Sequence, residues 1–398
     1  MRRPAMRYHG LVIYLDNNAT TQPSEAVIDA VARSMRDHWQ NPSSIHREGQ
    51  SARRLVEQSR ASVARLIGAR PRQLTFTSCA TEALDWAMQG FLNVGRARDR
   101  QVLVASRLEH NAVTDLARHL ESTRACEVRW VSGTTAGAID IEAMHDVVDE
   151  SVALVCAQWV NNETGVIQPI ETIGEMARAA GAPFLCDGTQ WVGKMPTSVE
   201  HAPFDALAFS SHKLHGPKGV GALWLRRGMS IPPQFHGSQE SGRRAGTENV
   251  PGIAGFAAAA EEAMNWLADE SNRDRAGALR DRLERGVLDH IPDAVVNGDP
   301  SARIWNTTNI GFPRLEAEAL LIALSERGVS ASAGAACSSG SLEPSPVLLA
   351  MNLPEEVAHG SVRFSLSRNT TEREIDEAID IIAECVERLR ASSEAIAR

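Results

Sequence analysis

Lysine is nearly absent from this chain. Among 398 residues only Lys194, Lys213 and Lys218 occur, while arginine supplies the other 38 of the 41 basic residues. A guanidinium stays protonated and cannot form an imine, whereas a lysine ε-amine can form one and can also take a proton. The three lysines therefore mark places where arginine does not serve, and all fall within 25 positions. Long apolar runs are missing too. The longest, Val250 to Ala260, contains Pro251 and two glycines and ends at Glu261, which is too short to span a bilayer. The N-terminus carries three early arginines but no apolar segment or small-residue cleavage site, so no secretory leader is expected. The six cysteines form no CxxC pair and no zinc-type spacing with histidine. We expect no metal site, and free thiols suited to a reducing cytoplasm. No repeat or low-complexity tail is visible.

What is present is ordinary for a soluble globular protein: 43% hydrophobic and 23% charged residues. The net charge of −9 supplies no general attraction to nucleic acid or to an anionic membrane. The length predicts two domains, or one large domain with a satellite.

Apolar runs that end in polar clusters alternate with helical periodicity. Leu74-Thr75-Phe76 runs into Thr77-Ser78-Cys79-Ala80-Thr81 and a helix over Glu82 to Phe91. Val102 to Ala105 leads to Glu109-His110-Asn111 and a helix over Ala112 to Leu120. Val152 to Trp159 leads to Asn161-Asn162-Glu163-Thr164-Gly165, Phe184-Leu185-Cys186 ends at Asp187 with Gln190 close behind, and Ala206 to Phe209 ends at Ser210-Ser211-His212-Lys213. Such alternation predicts an α/β fold with a mostly parallel sheet, whose ligands sit at the strands' carboxyl ends. One aspartate, one histidine, one lysine and one strand-to-helix turn then arrive at the same edge.

Those groups suit an aromatic aldehyde phosphate such as pyridoxal phosphate. The Ser78–Thr81 turn, with Ala80 and Thr81, offers backbone N–H groups to a phosphate, and Ser210 and His212 are further donors. Asp187 is placed to keep a ring nitrogen protonated, Asn162 or Gln190 to donate to a phenolic oxygen, and His110 to cover the ring and move protons. Lys213 is the imine lysine. Only one imine is needed, so Lys194 and Lys218 are read as partners of surface acids or as turn caps. A dehydrogenase is the rival for such a sheet, but Gly219-Val220-Gly221 lacks the third glycine and precedes an apolar strand, and no GxxxxGK[ST] occurs.

In this order the motifs are specific, and the chain resembles the cysteine desulfurases of the pyridoxal-phosphate fold type I, class V aminotransferase group. Closest are the nitrogen-fixation (NifS-like) and iron–sulfur-cluster desulfurases, whose active cysteine sits in a longer loop. The resemblance spans nearly the whole chain: Leu15-Asp-Asn-Asn-Ala-Thr-Thr21, Asn41-Pro-Ser-Ser44, Phe76-Thr-Ser-Cys-Ala-Thr-Glu82, Asn161-Asn-Glu-Thr-Gly165, Ser211-His-Lys-Leu-His-Gly-Pro-Lys-Gly219, Arg243-Arg-Ala-Gly-Thr-Glu-Asn249, Gly334-Ala-Ala-Cys-Ser338 and Val362-Arg-Phe-Ser-Leu-Ser-Arg368. It implies that Lys213 holds the cofactor, Asp187 pairs its ring nitrogen, and His110 stacks on it. It further implies that Asn162 and Gln190 contact the phenolic oxygen, and that Thr81, Ser210 and His212 bind the phosphate together with Thr247 from a second subunit. Arg363 would grip the substrate carboxylate, beside Asn162, and Cys337 would be the nucleophile. The chain departs from the family pattern at Ser211, where glycine is common, at His236-Gly237, at the Ala333 to Ser338 loop, and at Cys79, where glycine is also common.

From Ser330 to Ser345 the chain is almost all Ser, Ala and Gly until Leu342-Glu343-Pro344, a composition with few side chains to pack. A thiol there, of ordinary pKa about 8.5, needs a base to be reactive, and His110 is the candidate. Cys126, Cys156, Cys186 and Cys385 are read as packed thiols, the last on the apolar face of a C-terminal helix opened by the capping box Thr371-x-x-Glu374. The resemblance implies aspartate-aminotransferase-like architecture: a large cofactor domain over 16–262, and a small α/β domain from 1–15 and 263–398 carrying the 330–345 loop. It implies conversion of L-cysteine to L-alanine with a persulfide on Cys337, a homodimer, and an acceptor protein such as an iron–sulfur scaffold or other sulfur carrier. Selenocysteine lyase or class V aminotransferase chemistry, and a non-catalytic scaffold, are the alternatives.

Overall fold

The computed structural model describes residues 12–334 and 344–396, with side chains through residue 392. Cys337 and most of its small-residue segment lie outside the described residues. β1 (Ile13–Tyr14) is followed by α1 (Glu25–Asp37), α2 (Arg47–Leu66), β2 (Leu74–Thr77) and α3 (Ala80–Arg96). Strands and helices then alternate: β3 (Val102–Ser106), α4 (Asn111–Ser122), β4 (Glu127–Val131), α5 (Ile141–Val147), β5 (Val152–Gln158), α6 (Ile170–Ala179) and β6 (Phe184–Asp187). β7 (Ala206–Ser210), β8 (Gly221–Leu225) and α7 (Val250–Leu267) follow. The remaining elements are α8 (Ser271–His290), β9 (Val295–Val296), β10 (Thr307–Gly311), α9 (Ala317–Glu326), β11 (Val329–Ser330), α10 (Pro346–Ala350), α11 (Glu355–His359), β12 (Ser361–Ser365) and α12 (Glu372–Ile396).

Contacts divide the described chain into two units. One holds residues 20–162 and 166–270; the other holds residues 12–19, 163–165 and 271–396. The first is built on a seven-stranded sheet of order β2-β8-β7-β6-β5-β3-β4. All neighbouring pairs from β7 to β4 are parallel, and only β8, antiparallel to both β7 and β2, runs the other way. Strands β2, β3 and β5 to β8 are buried at every position, as a sheet covered on both faces requires. On one face Leu84, Trp86 and Phe91 of α3 and Val113 of α4 pack on Leu103, Leu154, Leu185 and Leu223. On the other, Phe256 of α7 meets Phe76 and Phe209 with ring centroids 6.3 and 5.8 Å away.

The order of strands creates a crevice. The chain leaves β3 outward to β4, returns to β5 on the opposite side of β3, and continues away to β6 and β7. The loops leaving β3 and β5 therefore diverge at their carboxyl ends, which is where α/β sheets bind ligands. In the second unit β12-β10-β9 form an antiparallel sheet and β1 pairs with β11 in parallel. Its core gathers Leu15, Phe312, Leu320, Phe364, Ile375 and Ile382. The expected capping box opens α12: Thr371 N–H donates to Glu374 Oε2 at 2.7 Å, and Glu374 N–H to Thr371 Oγ1 at 3.3 Å. Cys385 is buried on that helix. Among the described residues no helix is long and apolar enough to cross a membrane.

Candidate active site

At the carboxyl edge of the large sheet a cavity of about 200 Å³ is lined by Ala80, Thr81, His110, Asn162, Asp187, Gln190, Ser210, His212 and Lys213. Nine residues named from sequence thus meet in one place, delivered by the ends of five strands, β2, β3, β5, β6 and β7. Register explains the level at which they arrive. Asp187 is the last residue of β6 and pairs in register with Gln158 of β5 and Ala208 of β7; Ser210 ends β7, and Lys213 closes the short turn after it. Thr189 N–H donates to Asp187 Oδ1 at 2.9 Å, holding one carboxylate oxygen.

The β2–α3 turn supplies the anion-binding edge. Cys79 is the helix N-cap and makes no side-chain cap hydrogen bond, so the first N–H groups of α3 are not closed off by it. β8 passes so close that a Cβ at Gly221 would sit 2.6 Å from the Cys79 carbonyl carbon. Only glycine lets the strand support the turn at that point. Glu82, in the first turn, accepts from Ser78 N–H at 2.7 Å and from Arg244 Nε at 2.7 Å and Nη2 at 3.1 Å. Burial raises the Glu82 carboxyl, but Arg244 and Ser78 outweigh it and hold the group below the ordinary glutamate range. Its charge is therefore matched before any phosphate arrives, a service of Arg244 that sequence alone did not reveal.

The two histidines are both neutral donors, for different reasons. His110 caps α4, its Nδ1 accepting from Ala112 N–H at 3.0 Å. A neutral imidazole accepting at Nδ1 carries its proton on Nε2, so His110 offers a hydrogen-bond donor there. His212 is pushed down to about 4, first by burial and then by Lys213, Lys218 and Lys194. Its Nδ1 lies 3.2 Å from Thr20 Oγ1. Under the cavity, burial lifts Glu109 well above the ordinary glutamate range, opposed by the Gln158 backbone N–H and reinforced by the charge of Asp187. Burial thus favours the protonated form of Glu109. Sequence quoted it only as the residue before His110.

One expectation changes. Lys194 is not a surface residue: it is 5% exposed, and its Nζ donates to Gln190 Oε1 at 2.6 Å. The tight turn Gly188 to Met195, with Trp191 stacked on Trp159 at 4.4 Å, carries the side chain inward. Cys79, where glycine is common in the family pattern, is half-buried and lines the cavity. Cys156 and Cys186 are fully buried, and burial pushes both thiols well above the ordinary range. Cys126 is raised to about 11, mainly by burial. Thr247 is exposed and does not line the cavity of its own chain.

Arg363 belongs to the second unit, on β12, and is 2% exposed. Its Nη2 donates to Asp16 at 2.7 Å and its Nη1 to the Gly334 carbonyl at 3.3 Å. Glu163, in the same unit, accepts from Ser345 Oγ at 2.5 Å, and its carboxyl also lies against Gly334. Glu163 thus touches the residues on either side of the 335–343 segment. Burial lifts it to about 7, against the lowering effects of Ser345 and Arg363. A carboxyl raised in the fold keeps a proton that the unfolded chain gives up, so stability falls as pH climbs from about 4.5 to about 7 and levels off above. Glu163→Gln is expected to flatten that window and to be more stable than the wild type at pH 8 by up to about 3 kcal/mol. Denaturant unfolding at pH 5 and pH 8 measures it; the same pH dependence in both proteins would refute the assignment.

The residues fit a pyridoxal phosphate. Ser210 Oγ and Thr189 Oγ1, both lining the cavity, are buried polar atoms without a partner in the protein, and such atoms call for a polar ligand or water. A ring nitrogen has a buried carboxylate in Asp187, and an aldehyde has an amine in Lys213.

The family model described as aminotransferase class-V matches residues 13–378. A protein named cysteine desulfurase 2, from Trichormus variabilis, is 46% identical over 96% of this chain and 95% of its own length. A cysteine desulfurase from Bradyrhizobium diazoefficiens is 44% identical over 97% of both chains. Among solved structures, a NifS-like protein superposes with a TM-score of 0.88 at 33% identity, covering 95% of this chain and all of the other. SspA in complex with cysteine gives 0.78 at 29% identity, covering 90% and 99%. The chain belongs to the aminotransferase class-V family, and its cofactor is pyridoxal phosphate.

Proposed function

We propose that this protein is a cysteine desulfurase that moves sulfur from L-cysteine to Cys337. The observation that carries the proposal is the lining of one cavity by Lys213, Asp187, His110 and the β2–α3 turn; the names of the full-length relatives support the choice of reaction.

Lys213 would hold the cofactor covalently through its ε-amine. Asp187 would pair the ring nitrogen, Asn162 and Gln190 the phenolic oxygen, and His110 would cover the ring. Ser210, His212, Thr81 and the N–H groups at Ala80 would hold the phosphate, and a neutral His212 serves there as a hydrogen-bond donor. When bound, pyridoxal phosphate supplies an electron sink that weakens bonds at the substrate's Cα and Cβ. Lys213 would be the amine that takes the Cα proton, and the ammonium so formed is the acid that can return it, with His110 Nε2–H as a hydrogen-bond donor beside it. Arg363 is the proposed holder of the substrate carboxylate. The Cys337 thiolate attacks the substrate sulfur. The C–S bond breaks, its electron pair and a proton end on Cβ of alanine, and the sulfur stays as Cys337 persulfide. L-Cysteine plus thiol thus becomes L-alanine plus persulfide, with no outside oxidant.

A homodimer is part of the proposal, with Thr247 of each chain serving the partner's phosphate site; its exposure supports this, as do the exposed apolar Met35, Trp39 and Ile45. The acceptor is proposed to be a sulfur carrier or iron–sulfur scaffold protein. The five described cysteines are free, in keeping with a reducing compartment such as the cytoplasm.

The test is stoichiometry. Holoenzyme given L-cysteine and dithiothreitol is expected to release alanine and sulfide one to one without a keto acid. Alanine formed only when a keto acid is added, or turnover with selenocysteine alone, would replace this reading with a transaminase or a selenocysteine lyase.

A further inference from the structure

Gln190 lines the cavity, and one end of its amide is committed: Oε1 accepts from Lys194 Nζ at 2.6 Å, with both side chains about 5% exposed. An ammonium has donors only, so it can meet an amide only at the carbonyl oxygen. The choice between the two ends of Gln190 is therefore dictated by its partner's chemistry. Taking an ammonium to 5% exposure is costly in itself. The chain uses arginine at 38 of its 41 basic positions, yet here it keeps a compact point donor that a planar guanidinium does not reproduce.

We propose that Lys194 is a positioning residue of the cofactor site: by capturing the carbonyl end of Gln190 it presents the amide N–H₂ end to the cofactor's phenolic oxygen. The inference rests on the reading that Gln190 faces that oxygen. Without Lys194 the amide can turn over, and a carbonyl would then oppose an anionic oxygen where a donor is wanted. The ammonium also adds positive potential to the same pocket, since it contributes, after Lys213 and Lys218, to holding His212 neutral. The three lysines of the chain thus act on one site in three ways: Lys213 as the amine, Lys194 behind the amide, and Lys218 as an exposed charge.

The readout is the visible absorbance of resting holoenzyme, without substrate, titrated from pH 5 to 10. The chromophore would lie among Asp187, His110, His212, Lys213 and Glu109, with Lys218 beyond, and all of these are kept in the variants. A donor on the phenolic oxygen favours its ionised form and so eases loss of the imine proton. Lys194→Met is expected to move the midpoint upward by about one pH unit. Lys194→Arg, which also only donates, should move it less than half as far. Gln190→Ala should move it in the same direction, and adding Lys194→Met to Gln190→Ala should move it clearly less than Lys194→Met moves it alone, since only the ammonium's charge is then left to lose. Should Lys194→Met fail to fold, Lys194→Gln, neutral and able to offer either amide end, carries the same expectation. A wild-type midpoint in Lys194→Met, or full additivity with Gln190→Ala, overturns the inference. Lys213→Ala separates the two levels of the argument. If that variant keeps the titrating chromophore, the site reading itself fails; if it loses it while Lys194→Met titrates normally, only the role of Lys194 falls.

Discussion

Cys337→Ala is expected to lose sulfur release from L-cysteine by at least about a thousandfold while keeping the chromophore of bound pyridoxal phosphate. The two halves of that result come from different parts of the chain. The cofactor pocket is lined by residues 79 to 213, and none of them depends on the thiol. Transfer of sulfur depends on a nucleophile that accepts it. Cys156 and Cys186 are fully buried with thiols raised by burial, Cys385 is buried and raised in the same way, and Cys126 is raised to about 11, so none of the four is a ready thiolate at neutral pH. Cys79 is the one rival, because it lines the cavity. Cys337→Ala that turns over within a few-fold of wild type would hand the role to Cys79. Cys337→Ser should be as inactive as alanine, since a hydroxyl lacks both the acidity and the nucleophilicity of the thiol. Alanine and sulfide formation, followed beside the absorbance spectrum, read both halves in one experiment.

Much of the site was legible in sequence because it is built from strand ends. Polar residues that follow an apolar run and precede a helical one are placed by the alternation itself, so Asp187, His110, Asn162, Ser210 and Lys213 could be assigned to one edge before any coordinates. The helices were found with their ends short: Glu82 to Phe91 is part of Ala80–Arg96, and Ala112 to Leu120 part of Asn111–Ser122. Periodicity fades at the termini, where the backbone turn at Cys79 and the side-chain cap of His110, rather than apolar spacing, set the boundary. Direction within the sheet was less legible. Nothing in Gly221–Leu225 distinguishes an antiparallel strand from its parallel neighbours, since all are buried at every position.

Pairs brought together over long sequence distances left no local signal at all. Arg363 with Asp16 and Glu163 with Ser345 are separated by 347 and 182 positions, and Arg244 reaches Glu82 across 162. Lys194 failed for another reason. Its partner is only four residues away, but a lysine after Gly193 in a polar-looking turn reads as surface. The turn is folded inward by Trp191 stacking on Trp159, and by Gly193 at φ +81, where a Cβ would strike Leu214. Burial of a turn is a tertiary outcome, and the scarcity of lysine was the only hint that this one mattered.

Lys213→Ala is expected to abolish the chromophore and to lower turnover by at least about ten-thousandfold, because one side chain carries two duties. In the proposed mechanism it would supply both the amine that attaches the cofactor and the base that takes the Cα proton. Added methylamine separates these duties. A small external amine can take up the proton-transfer role, so partial recovery of rate is expected, by about tenfold or more, without recovery of covalent attachment. Lys213→Arg is the sharper variant. Guanidinium keeps the positive charge that helps hold His212 neutral, so electrostatics are largely conserved, yet it can neither form an imine nor accept a proton at neutral pH. Equal inactivity of the arginine and alanine variants would assign the loss to amine chemistry. Turnover by Lys213→Arg above that of Lys213→Ala by more than about a hundredfold would assign it to charge, and the role given to Lys213 would have to be withdrawn.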